Sequence, residues 1–270
     1  MRVVICKNPD EVGYCASRQV IESMQRALAQ EDRFVLGLPT GSTPLPLYGY
    51  LIAAFYAGEI DLSRVHTFNL DEYVGLPPNH PQSYRHFMVQ NLFRFVNIPP
   101  QQTHMPNGLA RDIDHECARY ERLVDSMGVD LWVLGIGRNE HIAFNEPGSP
   151  RHSTTRKVKL ALDTIEANAR FFESPDEVPT EALSVGISTV IDHSREIILL
   201  ATGMSKAQAV AIALLGPVSG WIPASYLREH SDCTFYLDRP AASALQQVRE
   251  GGGETDLEIV EATWLPGPSL

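Results

Sequence analysis

The chain has 270 residues, of which 44% are apolar and 20% are charged, and its formal net charge is -11. This composition is ordinary for a globular protein and excludes a disordered chain. The acidic balance argues against binding to nucleic acid or to an anionic membrane, because both would be repelled.

Strand and helix patterns alternate along the chain. Strands are predicted over 2–6, 34–38, 65–70, 131–136, 196–201 and, as the last one, 233–237. Helices are predicted over 12–28, 44–56, 82–96, 111–127 and 205–215. This alternation is typical of an α/β protein with a mostly parallel, doubly wound sheet. We find no internal repeat, and we expect one domain over residues 1–270.

The cysteines give no sign of a disulfide framework or a zinc site. Cys6, Cys15, Cys117 and Cys233 are scattered, without a CxxC pair. We interpret them as reduced thiols of a cytoplasmic protein. The N-terminal apolar run is too short for a signal peptide, and no segment approaches the roughly 20 apolar residues of a membrane span.

Ligands of such sheets bind beyond the carboxyl ends of the strands. Four loops at these ends carry polar clusters: 39–43, 69–73, 137–146 and 202–206. In the first loop, backbone N–H groups and hydroxyls around Gly41, Ser42 and Thr43 can hold a phosphate at a helix N-terminus. A plain Ser/Thr helix cap is an equally good interpretation.

The second loop places two neighbouring acids, Asp71 and Glu72, directly after a predicted strand. Neighbouring side chains point in different directions, so only one of them can readily face a pocket. A carboxylate in a pocket can abstract a proton from carbon beside a carbonyl group. Two solvated surface acids are the usual alternative, which the apolar flanking residues make less attractive.

The third loop brings His141 and Glu146 five residues apart, just past a predicted strand. An imidazole has an ordinary pKa of about 6.5, so it transfers protons readily near neutral pH. A carboxylate bound to its other nitrogen would fix its tautomer. For a histidine taken alone, however, a structural role is the better interpretation. The loop opens with Gly-Ile-Gly, but Glu140 replaces the third glycine of a dinucleotide fingerprint, so a nicotinamide site is rejected.

Two cations complete the set, Arg170 and Lys206. Lys206 falls in the first turn of a predicted helix, where a positive charge is unfavourable beside the helix dipole. A bound anion would offset that effect. An ordinary exposed lysine is the alternative.

Taken together, the four loops resemble the glucosamine-6-phosphate deaminase family. The similar stretches are Gly-Leu-Pro-Thr-Gly-Ser-Thr-Pro at 37–44, Thr-Phe-Asn-Leu-Asp-Glu-Tyr-Val-Gly-Leu at 67–76, Gly-Ile-Gly-Arg-Asn-Glu-His-Ile-Ala-Phe-Asn-Glu-Pro at 135–147 and Ala-Asn-Ala-Arg-Phe-Phe at 167–172. The Phe-Asn-Glu-Pro piece is the specific part, because the related 6-phosphogluconolactonases share the fold but lack it. The resemblance implies a Rossmann-like, three-layer α/β/α sandwich.

The resemblance also implies a reaction. Glucosamine 6-phosphate and water would become fructose 6-phosphate and ammonia by ring opening, proton transfer through an enolamine, and deamination. It assigns proton transfer between carbons to Asp71, ring opening to His141 and orientation of that histidine to Glu146. Asn139 stands where some members have Asp, and its neutral amide can still orient the ring.

The phosphate and the binding partners follow from the same resemblance. The phosphate would bind the loop containing Gly41, Ser42 and Thr43, together with Arg170 and Lys206. Neither a metal nor a cofactor is implied, and the expected partner is a small amino-sugar phosphate, not nucleic acid or a membrane. A homo-oligomer is compatible with the family. The segment 160–183 corresponds to a mobile lid.

Two features of the sequence depart from the family pattern. Glu140 replaces a glycine, so a positive φ at this position would strain the backbone by roughly 1 kcal/mol or more. Allosteric members bind N-acetylglucosamine 6-phosphate through a Ser, an Arg and a Lys. Ser149 and Arg156 match, but Val158 replaces the Lys. We therefore expect allosteric control to be absent or weak.

Two other functions stay open on the sequence alone. One is the hydrolase chemistry of a sugar-phosphate lactonase on the same fold, against which the Phe-Asn-Glu-Pro stretch argues. The other is a sugar-phosphate-binding regulator without catalysis, whose only support is Glu140.

Overall fold

The computed structural model describes residues 1–161, 165, 169, 172, 174, 177–250 and 256–262. Eleven strands lie in this part of the chain: β1 (Arg2–Cys6), β2 (Phe34–Leu38), β3 (Val65–Asn69), β4 (Asp71–Tyr73), β5 (Thr103–His104), β6 (Val129–Gly135), β7 (Arg156–Lys159), β8 (Glu181–Ser184), β9 (Ser194–Ala201), β10 (Cys233–Asp238) and β11 (Glu258–Glu261). Eight of them form one sheet in the order β11-β1-β10-β9-β6-β2-β3-β5. Every neighbouring pair in it is parallel.

Among the stretches that the structure describes continuously, seven α-helices connect and cover the strands: α1 (Pro9–Leu28), α2 (Leu45–Tyr56), α3 (Tyr84–Asn91), α4 (Ile113–Met127), α5 (Ile187–Asp192), α6 (Ala207–Leu215) and α7 (Arg239–Glu250). Local sequence sets where they begin. The side chain of Asn8 accepts a hydrogen bond from the backbone N–H of Glu11 at 2.9 Å, and Pro9 occupies the first helical position of α1, a common combination at a helix start. Asp112 caps α4 in the same way, bonding the N–H of His115 at 2.9 Å.

The helices form two layers, one on each face of the sheet. Helices α1, α2 and α3 bury their apolar side chains in one core cluster, with residues such as Val12, Leu47 and Met88. Helices α4 to α7 pack in a second cluster on the other face, with residues such as Tyr120 and Val210. The strands between the two layers are buried on both faces, which explains their continuous apolar sequence. The three-layer α/β/α fold is therefore confirmed.

Several elements differ from the prediction. The strand at 233–237 is not the last, because β11 adds to the free edge of β1. The helix predicted over 82–96 ends at Asn91 and is followed by a 3-10 turn at Phe93–Phe95, where aromatic residues favour the helix less. Strands β4, β8 and β7 form a separate antiparallel sheet, in that order, where the sequence predicted only loops.

The order of the strands creates one crevice at the carboxyl edge of the sheet. Strands β2 and β6 are hydrogen-bonded neighbours, but the chain leaves β2 toward α2 on one face, whereas α5, which lies further along the chain after β6, packs on the other face. Loops that leave adjacent strands in opposite directions open a gap between them, and ligands of α/β sheets bind at such a switch point.

Two further findings concern the rest of the described chain. None of its helices combines the length and the apolar character needed to span a membrane. All four cysteines are free of disulfide bonds.

Candidate active site

The four loops selected from the sequence follow four consecutive strands. Strands β9, β6, β2 and β3 are neighbours in that order, and all four point the same way. The loops 202–206, 137–146, 39–43 and 69–73 therefore leave the same edge of the sheet, side by side. The site expected from the sequence is built around the β2–β6 switch point.

The loop between β2 and α2 leaves its small polar groups available. Gly41 has a φ of 97°, which favours glycine, and Gly41 and Ser42 are exposed. The residue that caps α2 is Pro44, without a side-chain capping bond. The interpretation of this stretch as a Ser/Thr helix cap is therefore wrong. The hydroxyls of Ser42 and Thr43 are not used as caps.

Asp71 is a buried acid at the start of β4. Its side chain lies two residues beyond the end of β3, and only 8% of the residue is exposed. Burial and, second, the nearby charge of Glu72 raise the pKa of Asp71 from 3.8 to about 8. An acid with such a pKa can both take and return a proton near neutral pH. The alternative of two solvated surface acids is wrong, since Glu72 is also buried.

Asn139, His141 and Glu146 form a closed set of hydrogen bonds. The amide Nδ2 of Asn139 donates to Glu146 Oε2 at 2.7 Å, so its Oδ1 faces His141 Nδ1, also at 2.7 Å. An amide oxygen only accepts, so the imidazole proton lies on Nδ1. Glu146 Oε2 is 3.3 Å from the same nitrogen. The arrangement leaves Nε2 as the ring nitrogen that can accept a proton from a ligand.

The backbone around this histidine is tightly folded. A Cβ on Gly137 would lie 2.4 Å from Cε1 and Nδ1 of His141, so the ring occupies the space that a side chain would need. Glu140 has a φ of 62°, which is the condition under which a side chain at this position strains the backbone. Its N–H bonds the carbonyl of Gly137, and its carbonyl accepts from Ala224 at 2.9 Å. These contacts hold a conformation that costs roughly 1 kcal/mol in a residue with a side chain.

Lys206 joins the fourth loop to the third. Its Nζ donates to the carbonyl of Ile136 at 2.6 Å, and the residue lies in a 3-10 turn, Met204–Lys206, just before α6. Burial and, second, the charge of Arg138 lower the pKa of Lys206. Two cations close together favour a bound anion. Arg170, the other predicted cation, lies outside the described residues.

Ser184 on β8 ties Asp71 to the histidine loop. It pairs with Asp71 across the antiparallel β4–β8 ladder, and its hydroxyl accepts the N–H of Phe144 at 3.1 Å. The amide of Asn145 donates to the carbonyl of Val185 at 2.9 Å. The acid and the loop that carries the imidazole thus share one support. No pattern in the sequence marks Ser184, because its role depends on a strand pairing.

Asp238 is a second residue that the sequence analysis did not single out. Both carboxylate oxygens accept the N–H of Gly203 at 2.9 Å, and one also accepts the N–H of Ala241 at 2.8 Å. Gly203 has a φ of 88° and opens the turn that carries Lys206. The only available signal was an acid at the carboxyl end of a strand.

Arg156, one of the residues that match the allosteric site of the family, contacts the loop that carries His141. Arg156 donates to Asn145 Oδ1 at 2.8 Å and to Ser149 Oγ at 3.2 Å. Val158 packs into an apolar cluster with Tyr73. The neighbouring Lys157 is exposed and 3.1 Å from Glu181. Val158 and Lys157 therefore lie on opposite faces of β7.

Other parts of the molecule do not add to this site. A groove of about 1220 Å³ lies beside α1 and strands β1, β10 and β11, and none of the predicted site residues lines it. Among the described residues, no group of three or more His, Cys, Asp or Glu side chains is placed to hold a metal ion. Of the segment expected to form a lid, 160–183, the structure describes both ends, and residues 181–183 belong to β8.

Comparison with known proteins agrees with this geometry. The family described as glucosamine-6-phosphate isomerases/6-phosphogluconolactonase matches residues 7–236. Glucosamine-6-phosphate deaminase 1 of Giardia intestinalis is 54% identical over 79% of this chain and 81% of its own length. Glucosamine-6-phosphate deaminase 2 of Bacillus subtilis (strain 168) is 46% identical over 92% of this chain and 99% of its own.

Solved structures show the same relationship. The structure of a monomeric glucosamine-6-phosphate deaminase superposes on this chain with a TM-score of 0.87 at 43% identity. The match covers 90% of this chain and 100% of the other one. A 6-phosphogluconolactonase from Trypanosoma cruzi shares the fold, with a TM-score of 0.72 at 21% identity, covering 90% and 96%. The resemblance of the loops is confirmed: the chain belongs to the family of glucosamine-6-phosphate isomerases and 6-phosphogluconolactonases.

Proposed function

We propose that the chain is a glucosamine-6-phosphate deaminase, which converts glucosamine 6-phosphate and water to fructose 6-phosphate and ammonia. The observation that carries the proposal is the shared support of Asp71 and the His141 loop on Ser184. That shared contact supports a location of the buried acid and the histidine beside the same crevice. Both groups are needed, because the reaction requires ring opening and then a proton shift between two carbons.

His141 is assigned to the ring-opening step. With its proton held on Nδ1 by Asn139, its Nε2 takes the proton of the substrate's anomeric hydroxyl and passes it to the ring oxygen. The ring bond between that oxygen and the anomeric carbon breaks, and an aldehyde forms. Glu146 near Nδ1 stabilises the positive charge that develops on the ring of His141 during the transfer.

Asp71 is assigned to the proton shift. It takes the proton from the carbon that bears the amine and returns it to the neighbouring carbon, through an enolamine. The pKa of Asp71 is raised to about 8, and the positive amine of a bound substrate would lower it and favour the ionised base. Water then adds to the resulting iminium carbon, and ammonia leaves.

The phosphate of the substrate is assigned to the opposite side of the crevice. The unused hydroxyls and N–H groups at Gly41, Ser42 and Thr43 stand at the N-terminus of α2, where the helix dipole favours an anion. Lys206, and Arg170 from outside the described residues, would supply positive charge.

The two alternative functions have less support. The structural neighbours named 6-phosphogluconolactonase, such as the one from Trypanosoma cruzi, share 16–21% identity with this chain, so they speak for the fold alone. The curated relatives at 43–54% identity are named deaminases. A non-catalytic regulator rests on Glu140, whose strained conformation leaves the hydrogen bonds around His141 intact.

The direct test is ammonia release from glucosamine 6-phosphate by the wild type and Asp71→Asn. We expect the wild type to release ammonia and the variant to bind the substrate with similar affinity but to lose turnover by about 10²–10⁴-fold. Calorimetry provides the binding measurement and a coupled assay provides the rate. Binding without ammonia release by the wild type would favour the regulator, and full activity of the variant would remove Asp71 from its assigned role.

A further inference from the structure

Glu72, the acid beside Asp71, makes an unusual set of contacts for a carboxylate. Only 4% of it is exposed. Its Oε1 accepts the backbone N–H of Tyr73 at 2.9 Å and of Tyr84 at 3.0 Å. Its Oε2 accepts the N–H of Arg85 at 2.9 Å. Three N–H groups converge on one side chain, and no proposed catalytic step uses it.

These contacts join two elements of the site wall. Tyr84 and Arg85 are the first two residues of α3. Ser83, the residue before them, caps the helix by accepting the backbone N–H of His86. Unpaired N–H groups and the helix dipole at such a position stabilise a negative charge. Glu72 therefore fixes β4, the strand that carries Asp71, against the start of α3. An N–H donor set of this kind suits an ionised carboxylate better than a neutral acid.

The charge of Glu72 acts on Asp71 through space. Adjacent residues of a strand point to opposite faces, so the two carboxyl groups do not share a hydrogen bond. They are nevertheless close enough for Glu72 to be the second cause, after burial, of the raised pKa of Asp71. Burial also raises the pKa of Glu72, against the three N–H groups that lower it.

The other titratable groups around the pair are few. Tyr73 from β4, Tyr84 from α3 and Tyr120 from α4 interact with the charge of Asp71. Burial raises the pKa of each of these tyrosines, so they stay neutral across the working range. Arg85 acts on Glu72 from α3. Among the described residues, Glu72 is thus the charge that bears most directly on Asp71.

We propose that Glu72 is a positioning residue of the reaction, which anchors β4 on the first N–H groups of α3 and holds a fixed negative charge that makes Asp71 a stronger proton acceptor. The inference rests on the proposed deaminase function, since it assigns Glu72 a part in the step given to Asp71. If the role of Glu72 were purely structural, its hydrogen bonds to α3 would matter but its negative charge would not. The two roles can be separated, because different substitutions remove them.

Two substitutions make that separation. Glu72→Gln keeps the size of the side chain but removes the charge. Glu72→Asp keeps the charge but shortens the side chain by one methylene, so that it no longer reaches α3. We expect Glu72→Gln to move the acidic limb of the kcat profile to lower pH by about half a unit or more, because a nearby like charge is lost. We expect Glu72→Asp to lower thermal stability and leave the limb in place.

The matched control is Glu196→Gln. Glu196 is a carboxylate of similar burial, 7% exposed, which accepts a hydrogen bond from Ser23 at the opposite end of the sheet. Its substitution is expected to lower stability without moving the pH profile. If Glu72→Gln and Glu196→Gln give the same profile as the wild type, the charge role of Glu72 is wrong and only the anchor remains.

A second readout does not depend on turnover. The ¹³C shift of the Asp71 carboxyl, followed by NMR during a pH titration, is expected to report a lower pKa in Glu72→Gln than in the wild type. If that variant does not fold, Asp71→Asn serves instead, because the coupling is reciprocal and the pKa of Glu72 should then fall. An unchanged carboxyl titration overturns the inference. If the wild type releases no ammonia, the proposed function is wrong. The titration still decides whether the charge of Glu72 raises the pKa of Asp71.

Discussion

Asp71 is buried where its own ionisation is unfavourable, and this has a consequence for stability. Its pKa is raised in the folded chain from 3.8 to about 8. Between those values the folded chain holds a proton that the unfolded chain has lost. The contribution of Asp71 to the free energy of unfolding is therefore greatest below about pH 4. It falls as the pH rises toward about 8 and is constant above that value.

We expect Asp71→Asn to show this dependence directly. The amide cannot ionise, so the variant should gain stability relative to the wild type as the pH rises. The gain between pH 5 and pH 9 should be on the order of 1 kcal/mol or more, because one pKa unit corresponds to about 1.4 kcal/mol. Urea unfolding at the two pH values measures it. An equal difference at both would mean that Asp71 titrates normally.

For single residues, the sequence indicated which chemical groups are candidates for the site but not how they are connected. Asp71, His141 and Glu146 were selected because acids and an imidazole follow strands. The position of Asn139 between His141 and Glu146 depends on the fold of the loop, which residue type alone does not determine. The same is true of Glu72, whose three partners include two on a helix twelve and thirteen residues further along.

The loop after β6 is the element whose shape matters most for the proposed chemistry. The two glycines at its start, Gly135 at the end of β6 and Gly137 in the loop, are not equivalent. A Cβ at Gly137 would collide with the ring of His141 at 2.4 Å, whereas a Cβ at Gly135 meets nothing within 4 Å. Neither residue has a positive φ, so alanine is allowed by the backbone at both positions. The pair offers a test of the loop that does not alter any polar group.

We expect Gly137→Ala to displace His141 and to lower kcat by at least about tenfold, since misplacement by about 1 Å can cost 10²-fold. Gly135→Ala, the control, should keep most of the activity. Rates of ammonia release and melting temperatures would be measured for both. Equal activity of the two variants would show that the ring of His141 does not need its place above Gly137.

Short strands explain why the elements were predicted incompletely. Strands β4, β7 and β8 have three or four residues each, too few for the alternation of apolar and polar residues to be recognised. Their pairing joins segments more than a hundred residues apart in sequence, 71–73 and 181–184. The long buried strands and the amphipathic helix α4 were predicted because their patterns extend over more residues.

For the whole molecule, the alternation of strands and helices predicted the fold class and the edge at which the site lies. It did not predict the order of the strands, which depends on packing between distant segments. That order is what places the four loops on neighbouring strands. The expectation of one domain over 1–270 and of a homo-oligomer stays a prediction.

Regulation also belongs to this scale. Arg156 is engaged within its own chain, with Asn145 and Ser149, and Val158 offers no charge beside it. We therefore expect hyperbolic kinetics with glucosamine 6-phosphate, unchanged when N-acetylglucosamine 6-phosphate is added. Initial rates over a range of substrate concentrations would show it. A sigmoidal curve that the acetylated sugar phosphate makes hyperbolic would contradict this expectation.

Strand β11, the last strand of the described chain, affects association between chains at high concentration. It pairs with β1 along Arg2–Ile5, and it covers backbone groups that would otherwise form an open edge beside Val3, Val4 and Ile5. An open apolar edge invites strand addition from a second chain and, from there, aggregation. With β11 in place, the outermost strand instead presents the exposed acids Glu258 and Glu261. Both acids lie within 4 Å of an arginine, Arg2 and Arg239, and charged side chains on an outer strand disfavour pairing with the edge of a second sheet. We therefore expect this short charged strand to oppose edge-to-edge association.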